Sequence, residues 1–412
     1  MKERPIRSIV LSLGELSRKW LDQKYSFRQK AVKRLVHGSG FSTNMAEATI
    51  DAIFSELTPS KLEKLLKTEL RNPHMLDDFS LDPIAKTWSR AHGPESILHI
   101  FASNAPQPAI LSFVLGMLLK SRNLGKVSSR DGGFLDIYLQ SLKTVDHSLW
   151  LMNQLIDSNN KNAVAFFAKK VDLLVAYGID ESLEQIRKII PATTPFFAYG
   201  HRISVAIFLK ESLKKKNVQA LARSVGKDIW MVDQRGCLSP GTIYAEKGGE
   251  VSPAEFAAHL ALELEKLVQR EKFLPRRDIS ANLAAYNLWN QFAIKKIKAE
   301  RSLFWESSPR GLWAVAYEDD LKPYLASSSQ IIVVKGYRKI NEVFTALKPI
   351  QKYLQCAALE CEAKDRKKIA QKLSEMNVNR ICRAGKMQTP PITWHHDGKP
   401  NLASWIRWTD LE

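Results

Sequence analysis

The sequence predicts an α/β protein with a helical N-terminal part and parallel sheets covered by helices on both faces. Three observations carry this. Up to about residue 90, apolar residues recur at three- and four-residue steps, the period of helices packed on one face. From Ser96 onward, short apolar runs alternate with amphipathic stretches, in the order strand, helix, strand, helix, strand. After a helix-rich interval the same alternation resumes at Gly241.

The elements follow in order. "SLGELSRKWL" and "TPSKLEKLLKTEL" read as amphipathic helices, the second with Thr58 as cap and Pro59 in the first turn. "SILHIFAS" reads as a strand ending in the turn "NAPQP", followed by a buried helix from Pro108 to about Lys120. "LGKVSS" reads as a second short strand, and "GFLDIYLQSLKTV" and "HSLWLMNQLI" as helices. "VDLLVAYG" is a buried strand, "DESLEQIRKII" a helix and "TPFFAYG" another strand. "SLKKKNVQALARSVGKDIW" is helical and "GTIYAE" extended. Ser252, Pro253 and Glu255 then form a capping box that opens a long helix. "ISANLAAYNLWNQFAIKKIKAE" is a further helix, and "GLWAVAYE" and "QIIVVKG" are strands. The expected division is 1–205, N-terminal helices and the first sheet; 206–375, a second α/β domain; and 376–412, a tail packing back on both.

A hydrophobic share of 45% and a charged share of 25% suit a soluble globular chain. The longest nearly uncharged apolar run, Pro108 to Leu119, falls short of the ~20 residues that cross a bilayer. The N-terminus lacks the pattern of a signal peptide, so a cytoplasmic protein is expected. The net charge of +18 admits nucleic acid, an anionic membrane or phosphorylated ligands as partners, or simply a solvated surface. Its basic residues are scattered, and no zinc finger, RRM or KH signature accompanies them, so no specific nucleic acid is expected. The four cysteines are Cys237, Cys356, Cys361 and Cys382. Cys356 and Cys361 form one close pair without a second, which argues for buried thiols and no metal.

Parallel sheets bind ligands beyond the carboxyl ends of their strands. Candidate ends are "ASNAPQP", "YGIDES" and "YGHRIS"; the glycine fingerprint of dinucleotide turns is absent. Cys237, in "DQRGCLSP", is either a small buried residue or a nucleophile able to carry an acyl group as a thioester. An acyl intermediate would need hydrogen-bond donors at its oxygen, such as the Asn104 amide and the Cys237 N–H.

The segment "DIWMVDQRGCLSPGTIYAE" resembles the active-site stretch of the LuxC-type acyl-CoA reductases, a branch of the aldehyde dehydrogenase superfamily. "VDLLVAYGIDESLEQIR", "AYGHRISVAI" and "WHHDGKPNLASWIRWTDLE" support the likeness, which runs from about Ser96 to Glu412. The resemblance implies an aldehyde-dehydrogenase-like fold, with a Rossmann-like cofactor domain and an α/β catalytic domain. It implies Cys237 as nucleophile, Asn104 in the oxyanion hole, Lys126 on the cofactor's adenosine ribose and Gly178 close to its pyrophosphate. Each has a structural alternative: Asn104 as a helix cap, Lys126 as a solvated lysine, Gly178 as a turn glycine. His201 is read as structural.

Two departures from the superfamily pattern matter. "FFAYGHRISVAIF" holds no carboxylate where relatives carry a general base, so water attack on an acyl-enzyme should be slow. "KVSSRD" places Ser128, Ser129 and Arg130 after the ribose lysine, which favours a 2′-phosphate and hence NADPH, although Asp131 adjoins. The expected reaction is NADPH-dependent reduction of a long-chain fatty acyl-CoA or acyl thioester to the aldehyde. The resemblance also implies an acyl-protein synthetase or acyltransferase as partner. A homo-oligomer and a weak anionic-membrane contact stay open. The competing reading is a basic binding protein for nucleic acid or an anionic membrane, built on a reductase-like fold.

Overall fold

The computed structural model describes residues 3–412 except 103–105, 129–132, 158–159, 272–285, 288, 296–301, 309–311 and 326–330. The chain forms two compact units, Met1–Ser39 with Glu47–His201 and Pro391–Glu412, and Gly40–Ala46 with Arg202–Pro390. The first holds helices α1 (Ile6–Leu21), α2 (Ser26–Arg34), α3 (Thr43–Phe54, whose start lies in the second unit) and α4 (Pro59–Leu70). Ile6, Ile9, Val10, Leu13, Leu16 and Trp20 of α1 are all buried, the stripe that three- and four-residue spacing dictates. The Trp20 ring stacks on Phe54 at 4.5 Å, and its indole N–H donates to Ser141 at 2.9 Å. Thr58 stands before α4 but makes no side-chain cap bond, leaving Pro59 to set the first turn.

Short strands β1 (Ser80–Leu81) and β2 (Trp88–His92) precede β3 (Ser96–Ile100), α5 (Gln107–Leu118) and β4 (Arg122–Lys126). Then come α6 (Phe134–Val145), α7 (His147–Trp150), β5 (Asn153–Ile156), α8 (Lys161–Ala168), β6 (Leu173–Tyr177), α9 (Asp180–Arg187) and β7 (Phe196–Tyr199). The stretch "HSLWLMNQLI" is therefore not one helix. A single helical turn ends at Trp150, and Asn153–Ile156 becomes a parallel edge strand on β4. The sheet order is β5-β4-β3-β6-β7, all parallel. Counted in chain order the strands run 3-2-1-4-5, the Rossmann arrangement, whose switch point lies between the first and fourth strands, here β3 and β6.

A buried polar ladder crosses this sheet. His99 Nε2 donates to Asn123 Oδ1 at 3.0 Å, and Ser112 Oγ donates to His99 Nδ1 at 2.8 Å. Asn123 Nδ2 donates to Asn153 Oδ1, which ties β4 to β5. Burial drives the His99 pKa from 6.5 down to about 4. Stability is complete above about 6.5 and falls as pH drops toward about 4, because only the unfolded chain takes up the proton there. That window corresponds to ~3 kcal/mol. His99→Gln should flatten this limb of the pH–stability curve, read by calorimetry; equal slopes in both proteins would contradict it.

The second unit holds β8 (Ile203–Phe208), α10 (Val218–Trp230), β9 (Pro240–Glu246), α11 (Pro253–Glu271), β10 (Ser302–Glu306), β11 (Ala314–Glu318) and β12 (Ile331–Tyr337). It continues with α12 (Ile340–Leu347), β13 (Leu354–Glu360), α13 (Ala363–Glu375) and β14 (Arg380–Cys382). The sheet order is β10-β11-β12-β9-β8-β13-β14, parallel apart from the β10–β11 pair. The capping box at α11 forms: Ser252 N–H donates to Glu255 at 2.7 Å and Glu255 N–H to Ser252 Oγ at 3.2 Å. Most of the stretch 279–300 read as a helix lies outside the described residues; Gln291–Lys295 are helical.

The tail rejoins the first unit. Glu69 accepts the N–H groups of Asn401, Leu402 and Ala403 at 2.8, 2.6 and 3.0 Å. A last strand, β15 (Arg407–Leu411), pairs antiparallel with β2. Trp405 is buried, whereas Trp408 stays 40% exposed on this small sheet. Among the described residues, no helix is long and apolar enough to cross a membrane.

Candidate active site

Cys237 lies in the loop between α10 and β9, and its residue is exposed. The loop begins in strain. After Trp230 the chain turns through Val232, Asp233 and Gln234 with φ of 53°, 53° and 56°. Side chains rarely adopt this left-handed region, least of all a β-branched one, at roughly 1–3 kcal/mol each.

Three sets of contacts hold the loop in place. Buried Asp233 pairs with Arg235 at 2.8 Å. Gln234 is 0% exposed, and its amide behaves as an extra peptide unit. Its Nε2 donates to the carbonyls of Pro240 and Ile331 at 2.9 and 3.0 Å, and its Oε1 accepts the Ile331 N–H at 3.0 Å. One side chain thus ties the starts of β9 and β12. Beyond the cysteine, Ser204 Oγ donates to the Cys237 carbonyl at 2.7 Å, and Gln388 Nε2 donates to Ser239 Oγ at 2.8 Å. A Cβ on Gly236 would meet Val232 Cγ2 at 3.2 Å and Gln388 Oε1 at 3.3 Å, so bare backbone suits this pass. Backbone and neighbours are anchored, and the residue that carries the sulfur faces outward.

Gln388 is itself fixed by Asp228, in the last turn of α10. Its Nε2 donates to the Asp228 carbonyl at 2.9 Å. The Asp228 carboxylate accepts the N–H groups of Gly385 and Met387 at 2.5 and 3.0 Å. Burial pushes this carboxyl up to about 6 despite those donors.

The candidate cofactor residues lie in the other unit. Lys126 ends β4, Ser128 follows two residues on, and Gly178 follows β6, all at the carboxyl edge of the five-stranded sheet. Asn104, Ser129 and Arg130 lie outside the described residues. At the switch point, Phe101 stacks on Tyr177 at 5.7 Å, Tyr177 on Tyr199 at 4.7 Å, and Tyr199 on His396 at 4.5 Å. Phe101, Tyr177 and Tyr199 follow the strand ends of β3, β6 and β7, and His396 of the tail closes the row; Phe101 is buried and the other three rings are half-buried. Burial and the charges of Asp397 and Glu69 push the Tyr199 phenol far above its usual range, so it stays neutral.

A Cβ on Gly178 would find ordinary contacts, whereas one on Gly200 would lie 2.7 Å from Asp180 Oδ1. A side chain at Gly200 would therefore have to displace the exposed Asp180 carboxylate, whereas one at Gly178 would displace nothing. Helix α9 opens with Asp180 and Glu181, which oppose an anion at that end. This edge thus presents flat ring faces at the ends of β3, β6 and β7 and the Lys126 side chain at the end of β4.

Sequence reasoning passed over Gln234, Ser204, Asp228, Gln388 and the aromatic row. One signal was present: "AYG" closes both β6 and β7. Among the described residues, no group of three or more His, Cys, Asp or Glu could hold a metal ion.

Comparison with known proteins bears on the family and the fold. A long-chain acyl-protein thioester reductase of Vibrio harveyi is 22% identical over 417 residues, covering 99% of this chain and 83% of the relative. A second such reductase, of Photobacterium leiognathi, is 22% identical over 99% of this chain and 82% of its own. An oxidoreductase from Marinobacter aquaeolei superposes with a TM-score of 0.73 at 11% identity, covering 99% of this chain and 86% of that one. A benzaldehyde dehydrogenase from Corynebacterium glutamicum gives 0.68 at 11% identity, over 99% and 86%. The fold is aldehyde-dehydrogenase-like. The family model of the LuxC acyl-CoA reductases matches residues 1–408. The chain belongs to that family and is an oxidoreductase.

Proposed function

We propose that the protein reduces a long-chain fatty acyl thioester, such as an acyl-CoA, to the aldehyde with NADPH, through a thioester on Cys237. The observation that carries this reading is the exposed Cys237 on a loop anchored at both flanks. A positioned nucleophile reacts without first ordering its own backbone. The Cys237 thiolate attacks the acyl carbonyl, the bond from the acyl carbon to the coenzyme A sulfur breaks, and coenzyme A leaves as its thiolate, which takes a proton from solvent. Asn104 and the Cys237 N–H are the proposed donors to the oxyanion.

Bound NADPH supplies hydride. The thiohemiacetal on Cys237 then collapses, releasing aldehyde and returning the thiolate. Residues 196–208 hold no carboxylate, so no base from this stretch directs water at the thioester. Lys126 is the proposed ribose contact, and Gly178 the bare backbone near the pyrophosphate. Ser128, Ser129 and Arg130 are the proposed seat of the 2′-phosphate. An acyl-protein synthetase or acyltransferase is the proposed supplier of the acyl group; the relatives are named for reducing a long-chain acyl-protein thioester.

The cofactor assignment has its own test. With acyl-CoA saturating, kcat/KM for NADPH should exceed that for NADH by about tenfold or more, and Arg130→Ala should remove most of that preference while sparing NADH, consistent with losing one charge-assisted phosphate contact. Equal use of both cofactors by the unaltered protein would overturn the NADPH assignment. Release of fatty acid instead of aldehyde would overturn the reductive step.

A further inference from the structure

The seven-stranded sheet ends in β14, an edge strand of three residues. Cys382, its last residue, brings Sγ to 3.9 Å from Sγ of Cys356 on β13. Neither is in a disulfide; Cys356 is buried and Cys382 partly exposed. In the strand register Cys356 lies opposite Arg380 and Cys382 opposite Ala358, so the two thiols meet on a diagonal. The hydrogen bond with Cys356 and the nearby Arg380 charge hold the Cys382 thiol below its usual range, while the same contact and burial push Cys356 up. The more exposed thiol is thus also the more readily ionised, the pattern of an attacking cysteine backed by a resolving one.

We propose that Cys356 and Cys382 form a reversible disulfide on meeting a low-molecular-weight disulfide of the glutathione type, and that this bond loosens the support of the Cys237 loop. The Cys382 thiolate attacks one sulfur of the small disulfide, forming a mixed disulfide and expelling one small thiolate. Cys356 loses its proton and attacks the Cys382 sulfur, expelling the second. Two protein thiols are oxidised by two electrons, and one small disulfide is reduced to two thiols.

Closing the bond moves β14. In this parallel pair the diagonal step combines a strand spacing of ~4.8 Å with two residues of ~3.3 Å rise, putting the two Cα atoms about 8 Å apart, beyond the ~4.4–6.8 Å of bridged cysteines. The edge strand must therefore shift toward β13, and it continues directly into the turn that steadies the nucleophile loop. Arg380 donates to the carbonyls of Lys386 and Met387 at 2.6 and 2.7 Å and to Cys356 Sγ at 3.8 Å. Asp228 holds Gly385 and Met387 from the other side, and Gln388 reaches Ser239. Ser239 lies two residues beyond Cys237. A shift of Arg380 thus passes through this turn to the loop. Only the consequence for catalysis rests on Cys237 as nucleophile.

The test uses full-length protein carrying Cys237→Ser, which removes that thiol from the experiment. After incubation with oxidised glutathione and an acid quench, unreduced peptide mapping should show Cys356 joined to Cys382. Dithiothreitol should reverse the link, and Cys382→Ser or Cys382→Ala should prevent it. Hydrogen exchange at Gly385 and Met387 should accelerate about tenfold in the oxidised protein, as expected when a local opening becomes easier. A bridge through Cys361 instead, no bridge, or unchanged exchange in the turn would overturn the proposal. None of these readouts depends on Cys237 chemistry, so a failure here stays separate from a failure of the acyl-enzyme reading.

Discussion

Cys237→Ala should lower aldehyde formation from acyl-CoA by about four orders of magnitude or more, because the proposed covalent route has no substitute for the Cys237 thiol. Stability should hardly change. Cys237 is exposed, and the loop's hydrogen bonds run through its backbone carbonyl and through its neighbours. An exposed substitution of this kind stays within about 0.5 kcal/mol. Cofactor binding should persist, since the candidate cofactor residues lie in the other unit. A variant that folds, binds cofactor and turns over normally would remove Cys237 from the mechanism.

The second large effect should come from a residue that never touches substrate. Gln234→Ala removes three hydrogen bonds at once and leaves the Ile331 N–H buried without its acceptor. Ile331 is itself buried, so water cannot readily replace the amide. Each polar group stranded in this way costs about 1–3 kcal/mol, giving a loss of about 4 kcal/mol against a typical total of ~5–15. For a unit of this size that is roughly 10 °C in melting temperature. Activity should fall as well, because the left-handed backbone at Val232–Gln234 loses the clamp that offsets its strain. Gln234→Glu should recover little, since a carboxylate cannot donate to the Pro240 and Ile331 carbonyls. A melting temperature unchanged in the alanine variant would show that the clamp does not hold the loop.

These two residues mark what the sequence discloses and what it hides. Runs such as "SILHI", "LLVAY" and "IIVVKGY" announce buried parallel strands by their apolar content, and the Ser252–Glu255 box announces α11. By contrast, "NQLI" is short and half polar, and only pairing with β4 makes it a strand. Ile203–Phe208 is wholly buried between β9 and β13, strands brought together only by tertiary folding, and the break expected after residue 205 falls inside it. The three-residue β14 has too little pattern to read at all.

The candidate site divides in the same way. Cys237 stands out by its Gly-Cys-Leu-Ser-Pro setting and the resemblance it carries. Gln234 looks like any polar turn residue, because its partner Ile331 lies 97 positions further along the chain. Asp228 and Gln388 are hidden for the same reason, their bond spanning 160 positions. Local pattern reveals elements, whereas several supports of the Cys237 loop are long-range contacts that no window of sequence contains.

The most direct measurement is the mass of the intact protein after mixing with a long-chain acyl-CoA in the absence of NADPH. The mass should rise by one acyl group, located on the peptide containing Cys237, and return to its starting value with release of aldehyde when NADPH is added. An unchanged mass, or the same gain in Cys237→Ala, would contradict the acyl-enzyme.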